Sequence, residues 1–123
     1  MSKKPIAEEF RKILTDLEAE APDIFASAIV RKDGLVVASA MPEDISGRLF
    51  AAMTVATLGA SNRTMEELKQ GGLKRVIVEG EDGQMIIMGV GSLVLTVLAK
   101  KDANLGLVLL GVERALEQLK KYA

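Results

Sequence analysis

The chain has 123 residues, of which 49% are hydrophobic and 27% are charged, and its formal net charge is −1. This length is enough to bury one core and too short for two, so we predict a single globular domain over residues 1–123. The charge balance excludes an obvious nucleic-acid partner, because phosphate backbones are bound by proteins with a basic excess.

Two residue types are missing from the sequence. It contains no cysteine and no histidine. This excludes disulfides, thiol nucleophiles, zinc sites built on nitrogen or sulfur, and the usual general base at neutral pH. No stretch approaches the roughly 20 apolar residues that a membrane-spanning helix requires. We therefore expect a cytoplasmic protein that does not insert into a membrane.

The first third of the chain predicts one helix and a hairpin. Apolar residues recur at helical spacing over residues 5–21, and a proline follows them. Residues 24–32 and 35–40 are rich in isoleucine, valine and alanine, which favours two strands. An Asp-Gly pair separates the two runs and is a strong signal for a tight turn. These two strands should pair in antiparallel fashion.

A long helix and three further strands are predicted next. Asp44 or Ser46 can cap the helix, which extends to about Leu68 before a Gly-Gly pair ends it. Three strand candidates then follow as a meander with glycine-containing turns between them. They occupy residues 73–79, 84–90 and 93–99.

A last amphipathic helix should open at Asp102 or Asn104. The element order is thus α-β-β-α-β-β-β-α, which places the chain in the α+β class. The fourth and fifth strands show no alternation of polar and apolar residues, although a sheet with one wet face should alternate. We therefore predict helices on both faces of the sheet.

The middle helix contains fourteen consecutive residues, 49–62, without one charge. A helix that is apolar all round is usually buried all round, and the sheet covers only one side of it. We expect the other side to meet another chain. The alternative is that its alanines are simply good helix formers that face the sheet or water. The predicted contact residues are Leu49, Ala52, Met53, Ala56, Gly59 and Ala60.

The third strand belongs to the same predicted interface. It opens the meander, so it is expected at an edge of the sheet, and its core is apolar. An apolar edge invites pairing with a second copy of itself. A two-fold homodimer would cover this edge, including Val76 and Val78, together with the helix face.

No motif predicts catalysis, a cofactor or a metal. The sequence Gly89-Val90-Gly91 lies between two strands and lacks the third glycine and the following helix of a nucleotide-binding loop. We interpret it as a tight turn. The acidic residues near 79–82 have no EF-hand spacing, and the serines have no histidine to activate them. We therefore assign no catalytic, cofactor or metal residues.

Two cations are the best candidates for contacts with a partner. Arg63 closes the uncharged run of the middle helix, and Lys74, next to Arg75, precedes the third strand. The alternative for Arg63 is a solvated cation near a helix end, where the macrodipole favours positive charge.

The sequence resembles the roadblock / dynein light chain domain family, of the prokaryotic, MglB-like type. The resemblance extends over nearly the whole chain. It is carried by residues 29–39 (IVRKDGLVVAS), 58–60 (LGA), 89–91 (GVG), 93–98 (LVLTVL) and 104–107 (NLGL).

This resemblance implies a profilin-like fold, with a five-stranded antiparallel sheet in the order 2-1-5-4-3 between helices. It also implies homodimers or heterodimers that pair middle helices and third strands. For function it implies a non-enzymatic regulator or scaffold of a Ras-like small GTPase. A sensory ligand-binding domain of the PAS or GAF type and a purely structural dimeric adaptor remain alternatives.

Overall fold

The sheet sits between helices in the computed structural model, which describes residues 5–123. The element order confirms the predicted α-β-β-α-β-β-β-α arrangement. A short 3-10 turn, Lys120–Tyr122, follows the last helix. The elements are α1 (Ile6–Glu20), β1 (Ile24–Arg31), β2 (Val36–Ala40), α2 (Gly47–Glu67), β3 (Val76–Glu79), β4 (Gly83–Val90), β5 (Leu93–Lys100) and α3 (Leu105–Leu119).

The five strands form one antiparallel sheet in the order β2-β1-β5-β4-β3, as predicted. β1 and β5 lie in the centre, where Ile29 pairs with Leu95. Helices α1 and α3 pack together on one face, and α2 covers the other. Among residues 5–123, no helix is long and apolar enough to cross a membrane.

Local chemistry explains where the elements begin and turn. The side chain of Ser46 caps α2 by accepting a hydrogen bond from the Leu49 amide at 3.2 Å. Asn104 caps α3 in the same way through the Leu107 amide, also at 3.2 Å. Between β1 and β2, Gly34 has a φ of +94°, a conformation that residues with a Cβ atom rarely adopt. Asp44 and Asp102, which the sequence also allowed as N-caps, are therefore not the caps of α2 and α3.

The third strand is shorter than predicted. Residues 73–79 are expected to form it, but the ladder begins only at Val76, which pairs with Ile87 of β4. Beyond Ile87, the next residues of β4 pair only with β5. Residues 73–75 therefore have no strand partner and form an irregular lead-in to β3.

Buried apolar clusters lie on both faces of the sheet, one on the α1–α3 face and two beneath α2, which confirms the predicted burial of both faces. The larger core joins α1, α3 and one sheet face, and it includes Leu14, Leu95 and Leu119, each fully buried. The clusters beneath α2 are smaller, and one of them contains several alanines. Gly111 lies where α3 crosses α1, and a Cβ atom at that position would be 3.0 Å from Leu17 Cδ1.

A half-buried carboxylate links α1 to the sheet. Ser27, which is fully buried on β1, donates a hydrogen bond to Glu18 Oε2 at 2.5 Å. Burial raises the pKa of Glu18, and the hydrogen bond from Ser27 acts in the opposite direction. The folded state therefore holds this proton more tightly than the unfolded state does. The stability linked to this proton is complete below the unfolded pKa of about 4.3 and is lost as the pH rises through the folded pKa.

We expect Glu18→Gln to stabilise the protein at pH 7, because the amide removes the buried charge and still offers an oxygen to Ser27. The gain should shrink as the pH falls towards 4, where Glu18 of the parent becomes protonated. Urea unfolding at both pH values measures this difference. Glu81→Gln, at an exposed position, serves as the matched control. A gain that grows on acidification contradicts the assignment.

Candidate functional site

One face of α2 is held against the sheet by a small set of residues. Phe50, Ala51, Thr54 and Leu58 are its buried residues, and their spacing follows the helical repeat. Thr54 donates a fully buried hydrogen bond from its Oγ1 to Thr96 Oγ1 on β5 at 3.0 Å. This bond and the apolar contacts around it fix which face of α2 points away from the sheet.

The opposite face of α2 is exposed and uncharged over its central part. Leu49 is 61% exposed and Met53 is 50% exposed, and because they are four residues apart they are neighbours on one face of the helix. Ala52, Ala56 and Ala60 do not face the sheet, so that half of the alternative is wrong, and the choice between water and a partner chain on their side stays a prediction. All six helix residues that the sequence assigns to an interface lie on this exposed face: Leu49, Ala52, Met53, Ala56, Gly59 and Ala60.

The edge strand β3 lies beside this helix face. Val76 packs on the cluster around Leu58 of α2, and Val78, two residues further along the strand, points to the same side. Val78 is 46% exposed. In the described sheet β3 pairs only with β4, so its other edge is open. We call the six exposed α2 residues together with Val76 and Val78 the α2–β3 surface.

The two predicted partner contacts have different surroundings. Arg63 is exposed near the C-terminal end of α2 and makes no ion pair within residues 5–123. Lys74, in contrast, lines a small cleft, and Arg63 is not among the residues of that cleft. The structure brings Lys74 together there with Lys32 and Asn62, which come from distant parts of the sequence. Sequence reasoning missed these two residues because nothing in their local pattern marks them.

Two further motifs lie at the turns of the β3–β4–β5 meander. Gly91 has a φ of +57° in the turn between β4 and β5, as predicted for a tight turn, but Gly89 and Val90 belong to β4 and pair with Val94 and Leu93 of β5. The acidic residues Glu79, Glu81 and Asp82 are exposed. Across residues 5–123, acidic side chains do not gather into a group that could hold a metal ion.

A groove of about 520 Å³ runs between α1 and the C-terminal end of α3, on the face opposite α2. Its volume lies within the range of small-molecule sites, roughly 300–1,000 Å³. Such sites are mostly lined by apolar and aromatic side chains. This groove has charged residues on both walls and is open to solvent, with Tyr122 as its aromatic residue.

Comparisons with known proteins agree with this geometry. The sequence model of the family described as Roadblock/LC7 domain matches residues 12–99. The uncharacterized protein MJ1340 of Methanocaldococcus jannaschii is 37% identical over 109 residues, which span 89% of this chain and 95% of that relative.

Solved structures show the same fold at low sequence identity. Myxococcus xanthus MglB superposes with a TM-score of 0.88 at 22% identity, covering 99% of this chain and 92% of that chain. LokiProfilin1, solved in complex with rabbit actin, superposes with a TM-score of 0.64 at 20% identity and covers 98% of this chain and 100% of that chain. The predicted profilin-like fold is thereby confirmed.

Proposed function

Since the chain belongs to the Roadblock/LC7 domain family, we propose that it is a non-enzymatic cytoplasmic homodimer that regulates or scaffolds a Ras-like small GTPase. The family and the MglB-like fold support a regulatory or adaptor role in general terms. We further propose that residues 1–123 act as one roadblock-type domain.

The observation that supports the dimer proposal is the exposed α2–β3 surface. Its helix part combines two exposed large apolar side chains, Leu49 and Met53, with a stripe of small residues that lets a second backbone approach closely. A contiguous exposed apolar surface usually marks an interaction site. A two-fold axis beside β3 would place two copies of this surface against each other and cover both open strand edges.

The dimer would offer a partner one continuous surface built from two α2 helices and two β3 strands. Its polar rim includes Arg63 and Lys74, both exposed. Regulation of a GTPase by such a surface needs no catalytic residue from this chain. It needs contacts with switch segments, whose conformation differs between the GTP-bound and GDP-bound states, because only a difference in affinity can shift their populations.

We expect the purified dimer to bind a Ras-like GTPase from the same cell with different affinities for its two nucleotide states. Titration calorimetry with the GTPase loaded with GDP or with a non-hydrolysable GTP analogue measures this difference. Arg63→Ala and Lys74→Ala should each weaken binding without changing the dimer mass. Lys101→Ala, an exposed lysine at the far end of β5, is the matched control.

Equal affinity for both nucleotide states of every candidate GTPase, or no binding at all, contradicts regulation and leaves a structural adaptor. If the chain were instead a sensory domain of the PAS or GAF type, the opposite results would be expected. It would show saturable binding of a small molecule in a thermal-shift screen and no nucleotide-dependent partner. The charged, open lining of the α1–α3 groove favours the protein-binding proposal over this alternative.

A further inference from the structure

A small basic cleft lies where the β1–β2 turn, the β4–β5 turn and the lead-in to β3 meet the middle of α2. Its volume is about 140 Å³. Lys32, Lys74 and Arg75 line it, and no Asp or Glu does so among the described residues. The chain as a whole is nearly neutral, with 16 basic and 17 acidic residues, so this cluster is a local excess of positive charge.

The ion pairs of the described residues leave most of this charge uncompensated. Arg75 contacts Glu113 of α3 at 3.3 Å, and both side chains are well exposed to solvent. Lys32 and Lys74 have no acidic partner within residues 5–123. The Arg75 guanidinium is thus paired on the α3 side, whereas Lys32 and Lys74 are like charges at the cleft, and a bound anion would relieve their repulsion.

The other lining groups suit an oxyanion as well. Asn62 of α2 contributes an amide that can donate a hydrogen bond. Gly89, near the end of β4, carries no side chain over the cleft, whereas Gly91 in the β4–β5 turn is packed against Ala123, with a Cβ position 2.7 Å from Ala123 Cβ. Beneath them, Leu58 and Ile87 are buried and provide a dry floor, which strengthens electrostatic contacts above it.

We propose that this cleft binds a phosphate-sized oxyanion. It is much smaller than the roughly 300–1,000 Å³ of a typical small-molecule site, so it would hold one charged group and leave the rest of a larger ligand outside. Phosphate matches the cleft better than a single carboxylate does, because it carries more charge and more acceptor oxygens for the two lysines and the Asn62 amide. The source is either free inorganic phosphate or the phosphate group of a small molecule.

Titration calorimetry at constant ionic strength tests the proposal, with inorganic phosphate, pyrophosphate and a nucleoside monophosphate as the probes and chloride as the reference. We expect saturable binding of at least one phosphate probe. Tighter binding of inorganic phosphate identifies the free anion as the ligand, and tighter binding of the nucleotide identifies a carried phosphate group. Amide resonances of Asn62, Gly89 and Gly91 should shift in the same titration.

Substitutions in the cleft separate a specific site from general charge. Lys74→Gln should weaken binding by about tenfold, the loss expected for one charge-assisted hydrogen bond. Lys74→Arg keeps the charge and should retain most of the affinity. Lys101→Gln removes an exposed lysine outside the cleft and should leave the affinity unchanged.

The proposal is overturned if none of the phosphate probes shows saturable binding beyond that of the chloride reference. It is also overturned by equal loss of affinity in Lys74→Gln and Lys101→Gln, which would indicate diffuse charge attraction. The proposal does not depend on a GTPase partner, since the probes are small anions and the purified protein is the only macromolecule present. Arg63→Ala, which should weaken GTPase binding, should leave phosphate binding intact because Arg63 does not line the cleft.

Discussion

Ala56→Glu is expected to convert the dimer into a monomer and to lower the melting temperature. Ala56 lies in the centre of the exposed α2 face, between Met53 and Gly59. In the proposed dimer the introduced carboxylate would be removed from water within an uncharged stretch of helix, residues 49–62, that offers no cation to pair with it. An uncompensated buried charge costs about 3–5 kcal/mol, and a two-fold dimer would contain two of them.

The same substitution is nearly harmless if α2 faces water. Glutamate is almost as good a helix former as alanine, and Ala56 is exposed in the single chain. The experiment therefore separates the two interpretations of the α2 face. Sedimentation equilibrium across the micromolar range gives the mass, and a thermal melt on the same samples gives the stability.

Ala19→Glu provides the matched control. It makes the same chemical change at an exposed position of α1, on the opposite side of the sheet from α2. It should leave the dimer mass and the melting temperature close to those of the parent. A monomeric parent protein would remove the basis of the dimer proposal, and an Ala56→Glu variant that stays dimeric and equally stable would place the interface elsewhere.

Gly111→Leu is expected to destabilise the fold by about 1 kcal/mol while leaving the dimer mass unchanged. Gly111 is where α3 crosses α1, and a Cβ atom there would lie 3.0 Å from Leu17 Cδ1 and 3.4 Å from Ala21 Cβ. A leucine side chain has to push these helices apart, and overpacking of this kind costs about 1–3 kcal/mol. The better helix propensity of leucine recovers up to about 1 kcal/mol of that loss.

Urea unfolding measures this effect as a lower midpoint at an unchanged slope. Gly106→Leu is the matched control, because Gly106 is an exposed glycine in the first turn of the same helix. That variant should be neutral or slightly more stable than the parent. If the two substitutions change the midpoint equally, the crossing of α1 and α3 is looser than the structure indicates.

The fold could be predicted because its local signals agree with one another. The Asp-Gly turn ahead of Leu35, the helix caps and the unbroken apolar runs of β4 and β5 each depend on neighbouring residues. The start of β3 could not be predicted in this way. Leu73 and Lys74 lie where a strand could begin. Whether they pair depends on how far the chain before β3 runs alongside β4, which is set by the tertiary structure.

One part of the candidate site could likewise be predicted from the sequence, and another part could not. The exposed face of α2 could be predicted, because a helix without charge on either side has more apolar surface than one sheet can cover. The basic cleft could not, since Lys32, Asn62 and Lys74 come from a turn, a helix and an irregular segment that meet only in the folded chain. The contact between Thr54 and Thr96 was hidden for the same reason.

The central ladder of the sheet has a consequence for how the chain folds. β1 pairs with β5, so that Ile24 lies opposite Ala99 and Arg31 opposite Leu93. The hairpin of β1 and β2 has only two strands, and such a unit is marginal in water on its own. Closing the long intervening loop costs entropy before these distant contacts form, which makes such topologies slow to fold. During synthesis the hairpin must therefore wait for β5 to leave the ribosome before the sheet can close.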